Sequence, residues 1–474
     1  LIIGDISCST IEYAHNTGTI ANALITDTTK MFPNYPNKAS TTQIQMNPFP
    51  CTHYVDVDND NIPELIASPN AFSGENEKSV WLYKNTSATP TVNFSLVKKN
   101  FLQDEMIDAG QMSRPVLIDY NSDGKKDLLV SNEGIYLGNG RKPRLLLYEN
   151  IGTLSQPAFS LVSSDYANLS SVLNASVYSA VVAPGDIDND GDVDLFMITN
   201  VNTLSWYENT AGPGNPCNFS NLKFNHFTIN FPSSNPIPQL FDFNNDGKLD
   251  LLVSTKNGRI YYYENIGTTS VPAFTLVPNA FPNVSLRGDF FIYGLDGFGA
   301  SYFYKEGSQT KMLGGCITGQ IYYFDIPTLA TQTCTLLDST ANNILEHTFS
   351  TPWYEDINGD GKPDLFVGNA GGGVSFYSSK APDVGVWNEY ENNLFTIFPN
   401  PAQQVVKIQC EKPGHQIQAV KILNMTGNEV AEFTSGFRQK EINVSNLPTG
   451  IYLFYITIRN GDIQKQQVKK VIKY

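Results

Sequence analysis

Apolar residues along this chain fall into runs of four to seven, rich in Val, Ile, Leu, Tyr and Phe and closed off by Gly, Pro, Asn or Asp. Runs of that length and make-up predict short β-strands. No stretch keeps apolar residues at helical spacing between caps, so helix contributes little. The longest apolar run, Gly450 to Ile458, is about half of the ~18–20 residues that a membrane-crossing helix needs. No transmembrane segment is expected.

The runs recur in a fixed order. An acidic loop, Asp242-Phe-Asn-Asn-Asp-Gly-Lys-Leu-Asp250, stands between two of them, and the same loop returns from Asp186 to Asp194, Asp119 to Asp127 and Asp356 to Asp364, with a variant from Asp56 to Glu64. A second landmark follows each, as in Leu146-Leu-Tyr-Glu-Asn150 and Tyr261-Tyr-Tyr-Glu-Asn265. From the first loop Asp to the landmark aromatic is 21 residues at Asp186, Asp242 and Asp356. That offset exposes a degenerate unit with its loop at Phe303 to Lys311, and a first unit in which Leu1 aligns with Leu251 and Tyr13 with Tyr263. Loop-to-loop spacings of 63, 67, 56, 61 and 53 give seven units of about 60 residues.

A unit with about four strands, repeated in this way, predicts a β-propeller blade. A β-solenoid competes, but its rungs are far shorter. The expected fold is all-β: a seven-bladed propeller over residues 1–380, a linker over 381–393 and a small Ig-like β-sandwich over 394–474. The first blade lacks its opening strand and the last ends near Lys380, so upstream residues are expected to close the ring between them. Trp81, Tyr148, Trp206, Tyr263 and Tyr377 are expected at one strand position, packing blade on blade.

Charge divides the chain in the same place. The net charge is −15, yet from Glu391 onward Lys and Arg outnumber Asp and Glu by ten to six, which leaves −19 on the rest. Such acidity argues against a nucleic-acid partner. Six cysteines occur with no C-x-x-C pair, which disfavours zinc. Cys8 with Cys51, and Cys316 with Cys334, are candidate disulfides. The first residues show no basic start or cleavage site, so no signal peptide is visible.

The loop spacing carries the candidate chemistry. Side chains at positions 1, 3 and 5 of a tight loop converge, position 6 calls for Gly or Asn, and an acid at position 9 closes the shell. Hard oxygen ligands suit Ca²⁺, and neither imidazole nor thiolate is present. Metal-free Asx turns are the alternative. The final acid stands at 9 rather than 12, so the loop is not an EF-hand.

These loops, followed by Asp-Leu-Leu-Val or Asp-Leu-Phe-Val, resemble FG-GAP/VCBS repeats, as in the integrin α-subunit head. The resemblance implies a calcium-stapled propeller used in adhesion or recognition of a protein or glycan. It implies metal ligands at Asp56, Asp58, Asp60 and Glu64; at Asp119, Asn121, Asp123 and Asp127; and at Asp186, Asp188, Asp190 and Asp194. It adds Asp242, Asn244, Asp246 and Asp250, then Asp356, Asn358, Asp360 and Asp364, making up to five sites. The Phe303 unit departs from the pattern and is expected to hold none.

Past Tyr377 the motifs change to Phe398-Pro-Asn-Pro, Val420-Lys-Ile-Leu-Asn-Met-Thr-Gly427, Leu447-Pro-Thr-Gly-Ile-Tyr-Leu453 and a Lys-rich end. They resemble the type A sorting domain of type IX secretion. That implies export to the surface or exterior of a Gram-negative-type bacterium, with the translocon and its outer-membrane shuttle barrel as partners of residues 394–474. The five histidines, His15, His53, His226, His347 and His415, stand in no catalytic motif. A binding or adhesion module without chemistry is the leading expectation. A carbohydrate-active enzyme with its site on inter-blade loops, or a docking subunit of a surface assembly, is the alternative.

Overall fold

The computed structural model describes residues 2–379 and 395–473, apart from residues 20, 34–40, 48, 71–75, 87–92, 137–139, 175, 201–203, 220, 224–226, 228, 230, 289–295, 411–415, 425–427 and 461–462. The expected linker, 381–393, therefore lies outside the described residues. The chain separates into two compact units, Leu1–Ser379 and Lys380–Tyr474.

Among the described residues of the first part, seven sheets of three or four antiparallel strands, numbered here as units 1 to 7, follow one another, with a two-stranded ribbon, Ile135–Tyr136 paired with Arg141–Lys142, inserted in unit 3. The innermost strands of units 2 to 7 are Pro50–Val55, Arg114–Ile118, Ala180–Gly185, Ile237–Phe241, Ala300–Glu306 and Thr351–Glu355. In each of these units the acidic loop, or its counterpart, joins the first strand to the second. The landmark aromatic lies on the third strand, in one register throughout. Tyr83, Tyr148, Tyr207, Tyr263, Phe324 and Tyr377 stand opposite Leu65, Leu128, Leu195, Leu251, Met312 and Leu365. This corrects the expected set: Trp81 and Trp206 are buried but lie two and one residues upstream of the shared position. In unit 1 it is Ile2 that faces Tyr13, a shift of one residue from the expected alignment.

The ring closes on five units, not seven. Contacts between innermost strands run from unit 3 to 4, 5, 6 and 7, and from unit 7 back to unit 3. Hydrophobic clusters fill the same five gaps; between units 7 and 3, Phe366 and Ile357 pack against Leu128 and Tyr148. Backbone bonds seal that gap, Ser113 N–H to Asn369 O at 3.0 Å and Met112 N–H to Ala370 O at 3.1 Å. The Ser113 hydroxyl adds a bond to the Gly373 carbonyl at 2.5 Å. Units 1 and 2 stand outside as a pair, joined by the cluster around Ile11, Phe32, Leu65 and Tyr83. His53, Tyr54 and Val55 on the innermost strand of unit 2 are accordingly exposed, whereas Arg114–Ile118 of unit 3 is buried throughout. The expected ring of seven blades, closing between the first unit and the last, is thus corrected to closure between units 7 and 3. Spacing counts units, but only long-range contacts decide which unit meets which.

Close approach at the seam explains Gly368. A Cβ there would lie 2.1 Å from the Ser113 carbonyl oxygen, as a Cβ at Gly315 would lie 1.9 Å from that of Ser350 between units 6 and 7. Gly368→Ala is expected to lower stability by about 1–3 kcal/mol, measured by urea unfolding. Unchanged stability would mean that residue 368 does not meet Ser113.

Cys8, Cys51, Cys316 and Cys334 form no disulfide, which corrects both disulfide expectations. Cys316 and Cys334 share one hydrophobic cluster, but the Cys316 sulfur meets the Thr318 hydroxyl at 3.0 Å instead. Cys51 lies beside His53, with Sγ 3.8 Å from Nε2, and forms no bond to Cys8. Nearness in sequence does not aim two Cβ atoms at each other.

The C-terminal unit is a two-sheet β-sandwich. Strands Phe395–Phe398, Val405–Cys410 and Gln439–Asn443 form one sheet; Glu429–Phe437, Gln416–Asn424, Gly450–Asn460 and Ile463–Lys473 form the other. Val406, Ile408 and Ile442 of the first meet Val420, Phe454 and Ile456 of the second in a buried core. The Phe398-Pro-Asn-Pro motif ties down the last strand: the Ile472 N–H donates to Asn400 Oδ1 at 2.9 Å, and the Ala402 N–H to Ile472 O at 2.7 Å.

Candidate metal centres

All five acidic loops share one hydrogen-bond scheme. The first Asp accepts from the backbone N–H of position 6: Asn61, Gly124, Gly191, Gly247 and Gly361 donate to Asp56, Asp119, Asp186, Asp242 and Asp356 at 2.8–3.1 Å. Position 6 has positive φ, from 67° at Asn61 to 92° at Gly191, which is why the sequence places Gly or Asn there. Position 5 turns back on position 7, as where the Asp192 N–H donates to Asp190 Oδ1 at 3.1 Å. The acid at position 9 opens the second strand and is fully buried at Asp127, Asp194, Asp250 and Asp364. Asp194 receives the N–H groups of Ile187, at 3.2 Å, and Asn209, at 2.7 Å. The closing Asn of the landmark thus gives its backbone N–H to the loop acid, while its side-chain oxygen accepts the N–H groups of the turn that follows, Ala211 at 3.2 Å and Asn218 at 2.9 Å for Asn209.

The loops differ in what balances their charge. At Asp186, carboxylate oxygens of Asp186, Asp188 and Asp194 lie within 4.8 Å of one another. Asp188 Oδ1 is buried with no hydrogen-bond partner. Burial pushes Asp194 up to about 7, and burial with the nearby Asp190 and Asp186 carboxylates raises Asp188. Three convergent hard oxygens, one of them orphaned, fit a divalent cation. Glu208 lies close enough to act electrostatically on Asp188.

At Asp119 and Asp242 the scheme is milder. Asn121 and Asn244 take position 3 and donate to Glu149 at 3.5 Å and Glu264 at 3.2 Å. Lys125 and Lys248 pair with Asp123 and Asp246 at 3.0 Å from the rim, while burial raises Asp127 to about 6. At Asp356, Asn358 donates to Asp364 at 3.1 Å. The landmark acids Glu149, Glu208 and Glu264 were not singled out by spacing within the loop. Their signal was the recurring Tyr-Glu-Asn.

The Asp56 loop also gathers its acids, with carboxylate oxygens of Asp56, Asp58 and Glu64 within 4.8 Å of one another, but it adds a cation of its own. Its landmark carries Lys84 in place of Glu, and the Lys84 ammonium sits 2.5 Å from Asp58, 2.6 Å from Asp60 and 3.1 Å from Glu64. Those carboxylates hold the lysine well above its usual range. A side-chain cation already stands where Asp58, Asp60 and Glu64 converge. Unit 6 solves the same problem differently: a two-residue turn replaces the loop between Glu306 and Gln309, and Lys311, at position 9, pairs with Asp325 at the landmark.

Elsewhere in the first part, a groove of about 680 Å³ runs beside units 2 and 3. Tyr148, Phe159 and Leu161 line it together with Glu105, Met106 and Asp108. Of the histidines, His53 and His347 are exposed, and His226 and His415 lie outside the described residues. No helix among the described residues is long and apolar enough to cross a membrane.

Comparison with known proteins bears on both parts. Residues 119–197 match the FG-GAP-like repeat, and residues 396–473 match the secretion system C-terminal sorting domain. No curated protein matches the chain. Among solved structures, a lectin of Agrocybe aegerita that recognises non-reducing terminal N-acetylglucosamine aligns over 79% of this chain and 89% of its own, at 16% identity and a TM-score of 0.30. PorZ, a surface component of the type IX secretion system of Porphyromonas gingivalis, aligns over all of this chain and 51% of its own, at 12% identity and a TM-score of 0.16. The extracellular domain of BT4673 from B. thetaiotaomicron aligns over all of this chain and 56% of its own, at 9% identity and a TM-score of 0.24. The chain thus spans about half the length of the last two. FG-GAP repeats commonly bind calcium, in keeping with the acidic clusters here. The chain carries FG-GAP-like repeats and ends in a type IX sorting domain, which marks it for export to the cell surface or the extracellular space.

Proposed function

We propose that the propeller part is a calcium-stabilised binding module, displayed outside the cell, that recognises a protein or glycan and does no chemistry itself. The observation that carries the reading is the groove beside units 2 and 3. Its volume falls within the range of ligand sites, and aromatic, aliphatic and carboxylate side chains converge on it. Calcium would occupy the Asp186 loop first and the Asp119, Asp242 and Asp356 loops with it. The ions would hold the first and second strands of each unit together rather than meet the ligand. The C-terminal sandwich would be read by the translocon and its shuttle barrel.

The test is a glycan array and a pull-down from surface extracts, run beside reducing-sugar and lyase assays on the calcium-loaded protein. Leu161→Arg, at a half-exposed groove position, is expected to weaken binding at least about tenfold, the equivalent of 1.4 kcal/mol, while leaving the melting temperature unchanged. Turnover of a glycan without stable binding would reverse the reading in favour of an enzyme.

A further inference from the structure

We propose that the axis of the five-unit ring binds a small inorganic anion, of chloride size, on the guanidinium of Arg114. This site lies apart from the acidic loops and from the groove, and does not depend on the function proposed above.

Arg114 opens the innermost strand of unit 3 and is only 5% exposed. Its Nε has no hydrogen-bond partner, and its Nη1 reaches the Met112 carbonyl oxygen at a long 3.4 Å. Among the described residues no carboxylate comes within ion-pair distance; Glu133 is near enough only to act on it through space. A guanidinium cannot shed its proton to escape burial. A buried charge without a counter-charge is among the costliest features a fold can carry.

The surroundings offer room for a counter-ion. Two small cavities flank the side chain, each of about 10 Å³. One is bounded by Asn235, Phe298 and Thr351 of units 5, 6 and 7, the other by Ser179, Asn200 and Asn235 of units 4 and 5. Residues from every unit of the ring therefore surround Arg114, which places it on the axis. A space of that size takes one water or one monatomic ion. It excludes sugars, nucleotides and dicarboxylates. The Ser179 hydroxyl and the Asn235 amide can complete the shell of a halide that the guanidinium anchors, while the Thr351 hydroxyl is already spent on the Ser113 carbonyl at 2.8 Å. The lining comes from the start of each innermost strand, at the opposite end from the acidic loops, so cations and anion occupy opposite faces of the ring.

The test compares melting of the calcium-saturated full chain in chloride and in gluconate at matched ionic strength. The expected midpoint is roughly 3–6 °C higher in chloride. Arg114→Met is expected to abolish the difference and Arg114→Lys to keep part of it. A bromide-soaked crystal of the unmodified protein should show an anomalous peak beside the guanidinium. Equal midpoints in the two salts together with no bromide peak would overturn the proposal. So would a chloride effect that persists undiminished in Arg114→Met, since that would be a general salt effect. Should Arg114→Met fail to fold, the Arg114→Lys midpoints and the bromide map decide between the same two outcomes.

Discussion

Stripping divalent cations from the protein is expected to lower its melting midpoint by about 5–10 °C, with most of the loss traceable to the Asp186 loop. A ligand held at a thousand times its dissociation constant stabilises the folded state by about 4 kcal/mol. In a domain of several hundred residues each kcal/mol moves the midpoint by roughly 2 °C. The Asp186 loop dominates because it gathers three carboxylates, leaves Asp188 Oδ1 buried without a partner and holds no lysine among its carboxylates. Asp188→Asn should therefore remove much of the difference between calcium-loaded and chelated protein, whereas Asp360→Asn should remove little. Scanning calorimetry with elemental analysis checks both. An unchanged midpoint on chelation, with no metal found, would leave the loops as metal-free turns held by backbone N–H groups bonded to their own carboxylates.

The second large effect is a gain. Lys84→Glu restores at unit 2 the acid found at Glu149, Glu208 and Glu264, and it removes the ammonium that Asp58, Asp60 and Glu64 enclose. The variant is expected to bind one more calcium ion per chain than the unmodified protein and to become more sensitive to chelation. Elemental analysis of dialysed samples gives the stoichiometry directly. A matching count in the two proteins would show that the Asp56 loop either binds calcium beside Lys84 or cannot bind it at all. Either result would sink the idea that the lysine stands in for the ion.

Much of this was legible in the residues. The loop-to-aromatic offset of 21 residues, shared by units 4, 5 and 7, located unit 6, which has no carboxylate pattern left, because strand pairing transmits sequence spacing directly into register; units 2 and 3 were marked by their acidic loops. The positive-φ residue at position 6 of each acidic loop was legible as Gly or Asn, and the small β-sandwich at the end was expected from its short strand-like runs. What escaped was set by contacts distant in sequence. Nothing in the spacing announces that residues 109–113 meet residues 369–373, or that units 1 and 2 are left outside. Lys84 was visible as a departure from Tyr-Glu-Asn, but its meaning needed the fold that carries it back to Asp58. Trp81 and Trp206 misled because a large aromatic one or two places off the true register looks like the recurring residue. The cysteines misled because closeness along the chain says nothing of direction.

Beyond the rim pairs of Lys125 and Lys248, two wedges of this assembly set an ammonium against the landmark or loop carboxylates themselves, Lys84 in unit 2 and Lys311 in unit 6. A lysine cannot diffuse away when the surrounding medium turns poor in calcium. Depletion should then loosen the molecule unevenly, starting at unit 4 and sparing unit 6, and amide exchange would map that order. An exported protein meets fluctuating mineral levels that no cytoplasm imposes, and a ring only partly reliant on dissolved ions would give way one sector at a time rather than all at once.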